Sequence, residues 1–227
     1  MAEFALICEG VTDQITISNI LCGFFGNEDL DQDIVPLQPP YDATTQKQKD
    51  FGGWQMLLAY LQASQFRDAV LSNRYIIVHI DSDISPNPGF DVPHIDNNNQ
   101  ELSVETLVEA IIAKLIAIIN VNAPDFYENH QEKVIFCISV HSIECWLLAH
   151  YQSKISKNPK LKGCGESLKY VLEKQHGIKK KNFVKNYVFY NQLSEPFLDG
   201  KRLRSLTHHE PSLHIFLTAL ATLSGNS

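Results

Sequence analysis

Phe4-Ala-Leu-Ile-Cys-Glu-Gly-Val-Thr-Asp13 opens on a short apolar run that stops at Glu9-Gly10, and Ile15, Ile17, Ile20, Leu21 and Phe24 follow at helical spacing. The stretch reads as strand, turn, helix. Tyr75-Ile-Ile-Val-His-Ile-Asp-Ser-Asp83 begins the same way, with a β-branched run that ends abruptly at Asp81. Between the two, Asp33 to Leu37 reads as a strand closed by Pro39-Pro40, and Lys133 to Ser139 reads as a fourth. Helical patterns separate them. Gly52-Gly53 precedes Trp54, Leu57, Leu58 and Leu61; Ser103 fits the N-cap of a long helix through Ile119; Ser142 is placed to cap a helix through Trp146, Leu147 and Leu148. Residues 85–100, with Pro86, Pro88, Gly89, Pro93 and three asparagines, read as a loop or mobile flap. Strands that are continuous apolar runs, alternating with helices, indicate a parallel sheet buried on both faces. Such sheets bind ligands beyond the carboxyl ends of their strands.

Charge divides the chain in two. Residues 1–149 hold 21 acids against 6 Lys or Arg, a balance of −15, whereas residues 150–227 hold 5 acids against 13, a balance of +8. An acidic half suited to a cation and a basic half suited to phosphates is the arrangement a metal-dependent nuclease needs. After Tyr151 no strong strand signal remains, and helices are expected near Glu166 to Gln175, Lys180 to Tyr190 and Ser212 to Leu223. No run reaches the roughly 18 apolar residues of a membrane span, and Met1 to Leu6 has no signal-peptide pattern, so a cytoplasmic protein without a membrane partner is expected. Cys8, Cys22, Cys137, Cys145 and Cys164 form no C-x-x-C pair and mostly sit in apolar runs, which predicts reduced, buried thiols rather than zinc ligands or disulfides.

The acids that carry chemistry cluster at the predicted strand ends. Glu9 stands at the first, with Gly10 letting the chain turn and Asp13 four residues on; Asp81 and Asp83 share one side of the third, because alternate residues of an extended segment do. Glu144 opens the helix after the fourth strand, two residues beyond Ser142. Magnesium takes carboxylate, water and phosphate oxygens in near-octahedral geometry, which this set suits, and no His or Cys cluster competes for a softer metal. His79 lies inside a strand and reads as a hydrogen-bonded core residue. Lys179, Lys180, Lys181, Lys185, Arg202 and Arg204, interleaved with Phe183, Tyr187 and Tyr190, are candidates for gripping a nucleic-acid backbone; Tyr187 and Tyr190 themselves read as packing residues.

E-G-x-x-D followed by an apolar strand ending in D-x-D resembles the Toprim domain of topoisomerases, primases and nucleases. Ser142-x-Glu144, Ile143-Glu-Cys-Trp-Leu-Leu-Ala149, Ser194-Glu-Pro-Phe197 and a downstream lysine are similar to stretches of Toprim nucleases of the OLD family and of RloB-like and PARIS-type phage-defence effectors. The resemblance implies a Toprim-like (Rossmann-like) α/β fold over residues 1–150, a mostly parallel sheet with helices on both faces, and a basic helical appendage over 151–227 packed on it. It implies Glu9, Asp13, Asp81, Asp83 and Glu144 as ligands of Mg²⁺, or Mn²⁺ in its place, with two ions expected. Glu9 is also the expected proton-transfer group, Ser142 and Gly10 support the site, and Lys201, or Lys181 as substitute, neutralises phosphate charge.

The implied activity is endonucleolytic cleavage of DNA or of RNA such as tRNA, in a phage-defence system. No G-x-x-x-x-G-K-[ST] occurs, so any ATP dependence requires a separate ABC-type ATPase subunit; a homodimer is left open. The alternative is a catalytically silent Toprim subunit that binds nucleic acid or the ATPase. A phosphatase using D-x-D is weaker, since its nucleophilic aspartate belongs on the first strand, where Glu9 stands.

Overall fold

Four short strands form one sheet in the computed structural model, which describes residues 2–40, 52–152 and 162–224. They are β1 (Phe4–Ile7), β2 (Ile34–Gln38), β3 (Tyr75–Asp81) and β4 (Val134–Ser139), ordered β2-β1-β3-β4 and parallel throughout. The side-chain alternation of the strands decides what each face meets. Phe4, Leu6, Ile77, Ile135 and Cys137 point to one face; Ala5, Ile7, Ile76, Val78, Val134 and Phe136 point to the other. Both sets are buried, which is why β1, β3 and β4 run apolar on both faces, His79 apart, until their carboxyl ends rather than at alternate positions.

The second face is covered by α2 (Trp54–Gln62), α3 (Ser64–Ser72) and α4 (Val104–Ile119). Ser103 caps α4 as its sequence predicts, its hydroxyl accepting the Thr106 N–H at 3.2 Å. The first face is covered by α1 (Val11–Phe25) and α5 (Glu144–Tyr151), together with α6 (Cys164–His176), α7 (Tyr187–Ser194), α8 (Gly200–Leu206) and α9 (Pro211–Ser224). The helices after residue 150 therefore do more than decorate a finished domain. Leu168, Leu193, Phe197 and Phe216 share a core with Phe4, Ile17 and Trp146, and α9 lies directly on β4. At Gly23 of α1 a Cβ would come within 1.9 Å of the Phe197 carbonyl oxygen, so only glycine permits this approach.

Three local expectations are corrected. Lys180 to Tyr190 is not one helix: a 3₁₀ turn at Lys180–Asn182 is followed by extended backbone at Phe183, and α7 begins only at Tyr187, capped by Asn186, whose side chain accepts the Phe189 N–H. Cys145 and Cys164 are joined in a disulfide that ties α5 to α6, whereas Cys8, Cys22 and Cys137 are free and buried as expected. Spacing along the chain could not reveal a pair brought together by helix packing. Ser142 does not cap α5, whose N-cap is Ile143 without a side-chain hydrogen bond. Residues 85–100 form no strand or helix pairing beyond an isolated bridge from Ile95 to Glu101, yet Phe90 is fully buried and Ser85 and Val92 are hydrogen-bonded to each other, so the segment is anchored rather than loose. Among the described residues no helix is long and apolar enough to cross a membrane.

From β1 the chain moves to β2 on one side and later to β3 on the other. The crevice of an open parallel sheet lies at such a reversal, beyond the carboxyl ends of the two strands. Glu9 follows β1 and Asp81 ends β3, so the strand order alone places both at that crevice.

Candidate functional site

Glu9 is held from both sides by main-chain bonds. Its carbonyl accepts the Gly53 N–H at 2.7 Å, and its Oε1 accepts the Asp81 N–H at 2.9 Å. The first of these needs Gly52, which has φ +133° and where a Cβ would lie 2.6 Å from the Glu9 oxygen. Asp13 sits at the third position of α1 and accepts the Gly10 N–H at 2.9 Å, so Gly10 and Asp13 form the helix cap as well as the turn. Asp81 Oδ1 accepts from the Ile143 N–H at 3.0 Å and from the Ser139 hydroxyl. That hydroxyl is also 3.0 Å from His79 Nε2, which makes His79 the hydrogen-bonded core residue its position predicts.

Glu144, almost completely buried at the start of α5, is the best neutralised of the acids. Its Oε1 receives the Lys185 ammonium at 2.7 Å and the Tyr190 hydroxyl at 2.6 Å, and the Ser142 hydroxyl also bonds to the carboxylate. Burial alone opposes its charge, but the lysine charge and these three hydrogen bonds outweigh it and hold the carboxyl below its ordinary range. Among the described residues, the other acids have no such lysine partner. Burial and the neighbouring Asp13 push Glu9 up to about 8, and burial together with Glu144 pushes Asp13 up to about 7. Asp81 is raised well above the usual range by burial, Asp13 and Glu9; Asp83, exposed at the rim, is raised by partial burial and Glu144. Mutual repulsion among carboxylates in a partly dry crevice is what a bound cation relieves.

The structure thus brings Glu9, Asp13, Asp81 and Glu144 into one electrostatic cluster with Asp83 at its edge. Among the described residues, no three His, Cys, Asp or Glu side chains are drawn together as a ready-made cation cage. Lys185 supplies the local positive charge. In chemistry the donor set fits a hard, oxygen-seeking cation: Glu9 and Asp81 each use one oxygen in the bonds above, leaving Glu9 Oε2 and Asp81 Oδ2 to offer, with Asp83 beside them.

Among the described residues, Lys185 is the lysine that reaches the acids of the crevice. The sequence places it only in the basic strip, and nothing in local spacing sets it apart; the extended stretch before α7 carries it to Glu144. Tyr190, read as a packing residue, is fully buried but also donates to that carboxylate. Lys201 lies elsewhere, exposed in the first turn of α8, where Asp199 caps the Lys201 and Arg202 N–H groups. Arg202 lines an open cavity of about 540 Å³ with Glu28, Glu195 and Asp199, an acidic setting for a phosphate-gripping residue. Arg204 is exposed on the same helix, near Gly200. Lys179, Lys180 and Lys181 are exposed at the 3₁₀ turn after α6, with the Lys180 ammonium 5.9 Å from the Tyr170 ring centre. Comparison of the chain with protein-family models, with curated proteins and with solved structures finds no match.

Proposed function

We propose that this protein is a magnesium-dependent phosphodiesterase of the Toprim type, acting on DNA or RNA. The observation that carries this reading is the cluster of under-neutralised carboxylates at the carboxyl ends of β1 and β3, with an exposed lysine on its rim. Glu9, Asp81 and Asp83 would hold Mg²⁺, or Mn²⁺ in its place, with Asp13 adding negative charge for a second ion, while Glu144, itself neutralised, would hold Lys185 at the site's edge. The bound cation supplies a polarised water and counter-charge for a phosphate oxygen.

The chain's own residues account for the remaining work. Glu9, the proton-transfer group the resemblance implies, is raised to about 8 by burial and Asp13 in the metal-free protein, and a bound cation would favour its charged form, as a base acting on the cation's water requires. The Asp81 N–H keeps its Oε1 oriented, so that its other oxygen would face the cation and the water held there. Lys185, 67% exposed yet anchored on Glu144, would meet charge developing on a scissile phosphate, the part that the resemblance gives to Lys201. Lys179, Lys180 and Lys181 would hold flanking phosphates without reading bases. The phage-defence role and a separate ABC-type ATPase partner are supported by the motif resemblance alone.

The test is cleavage of end-labelled DNA and RNA, tRNA included, with Mg²⁺, Mn²⁺ or EDTA. Fragments are expected only with a divalent cation, and none from Glu9→Gln or Asp81→Asn. Cleavage that persists in EDTA, or at the wild-type rate in Asp81→Asn, would overturn the assignment.

A further inference from the structure

The segment after β3 does something its loop-like composition conceals. It turns back through hydrogen bonds between Val92 N–H and the Ser85 carbonyl, 2.8 Å, and between Leu102 N–H and the His94 carbonyl, 2.9 Å. This brings the His94 ring against the turn that carries Asp81 and Asp83. His94 Nε2 is 2.7 Å from the Ser82 carbonyl oxygen and 3.1 Å from Ser85 Oγ. A carbonyl oxygen only accepts, and the Ser85 hydroxyl gives its own proton to the Val92 carbonyl at 2.9 Å. Nε2 must therefore carry the hydrogen shared between the two acceptors.

His141 closes the other side of the same turn. Its backbone is left-handed, φ +62°, and this turns both its main-chain groups onto the Asp81-Ser82-Asp83 turn. The His141 N–H donates to Ser82 Oγ at 2.7 Å and its carbonyl accepts the Asp83 N–H at 3.1 Å, while the two imidazoles meet edge to face at 5.3 Å. Ser82 is fully buried between them. The peptide linking the two aspartates is gripped at its hydroxyl, its carbonyl and the following N–H.

We infer that His94 is a positioning residue: through its Nε2–H bond to the Ser82 carbonyl it fixes the turn from which Asp81 and Asp83 would take a divalent cation. This rests on the reading of those aspartates as a cation site. Second-layer partners of metal ligands act in this way, and their loss typically lowers metal affinity by about 10- to 100-fold.

Mn²⁺ titration of the full chain, followed by electron paramagnetic resonance or calorimetry, tests it without reference to activity. His94→Gln can keep a donor near the Nε2 position; His94→Phe keeps the ring without the donor; His94→Asn is too short to reach. The expected result is Mn²⁺ affinity lowered about 10- to 100-fold in His94→Phe and His94→Asn, but held within about threefold of wild type in His94→Gln. Thermal midpoints identify any variant that fails to fold, and the Asn–Gln comparison stands if His94→Phe does not. Unaltered Mn²⁺ affinity in His94→Asn, with wild type binding, would overturn the positioning role alone. A loss in His94→Gln equal to that in His94→Asn would also overturn it. Absence of Mn²⁺ binding by wild type would overturn the cation site and this inference together.

Discussion

Replacing Glu9 by glutamine should stabilise the metal-free protein near neutral pH. Glutamine retains an oxygen to accept the Asp81 N–H but carries no charge into the crevice. The magnitude follows from the carboxyl's displacement from 4.5 to about 8. The raised value means that between those limits the folded state binds more protons than the unfolded one, so stability falls as pH rises. Integrated from pH 4.5 to pH 7, a shift of that size removes about 3 kcal/mol, which solvent access to a partly exposed carboxyl reduces to roughly 1–3 kcal/mol. For a chain of this length that is about 3–10 °C in thermal midpoint. Calorimetry in EDTA from pH 4.5 to 8 should show the variant drawing level with wild type at the acid end and pulling ahead as pH rises. Adding Mg²⁺ should close the gap, because the cation gives the wild-type carboxylate its counter-charge. A variant that melts at or below the wild-type temperature at pH 7.5 in EDTA would refute the reasoning.

Lys185→Met should act in the opposite sense, costing about 1–2 kcal/mol at neutral pH, since it leaves buried Glu144 with hydroxyl partners only and the exposed lysine end limits the loss. Because Glu144 is held below its ordinary range, the wild-type benefit exists above the usual carboxylate pKa and fades as pH falls through the lowered value, so urea titrations of the two proteins should converge in acid. Reducing the disulfide, or Cys145→Ser, should cost about 2–4 kcal/mol, given that it closes a loop with 19 residues of separation between the paired cysteines; an unchanged urea midpoint under reductant would count against the bond. Changing Lys179, Lys180 and Lys181 together to alanine should weaken oligonucleotide binding similarly for all sequences and flatten its salt dependence by about 0.7–0.9 for each phosphate left without its lysine; an unchanged slope would remove the turn after α6 from the interface.

The sheet was legible because β1, β3 and β4 are buried on both faces, which writes them as largely apolar runs ending at Glu9, Asp81 and Ser139, while the half-exposed edge strand β2 is marked by the prolines that close it. Helix α3 was not, since Ser64-Gln-Phe-Arg-Asp carries few apolar residues and its burial rests on Phe66, Ala69 and Val70. In the site, Glu9, Asp13, Asp81 and Glu144 could be gathered from sequence because each follows or ends a parallel strand, or opens the helix after one, and parallel strands deliver their ends to one edge. Lys185, Tyr190, His94 and His141 could not. They arrive from a loop, a non-helical link, α7 and a left-handed turn, and their positions depend on packing across the fold. The Cys145–Cys164 bond was hidden for the same reason.

The most direct test of the central claim is anomalous scattering from crystals grown with Mn²⁺ and a short phosphorothioate oligonucleotide. A manganese peak is expected in the crevice beyond β1 and β3, with oxygens of Glu9, Asp81 or Asp83 and of one backbone phosphate at roughly 2.0–2.3 Å, close to the spacing of hard-cation sites. A crevice without manganese while the metal binds elsewhere, or a phosphate backbone lying away from these acids, would contradict it.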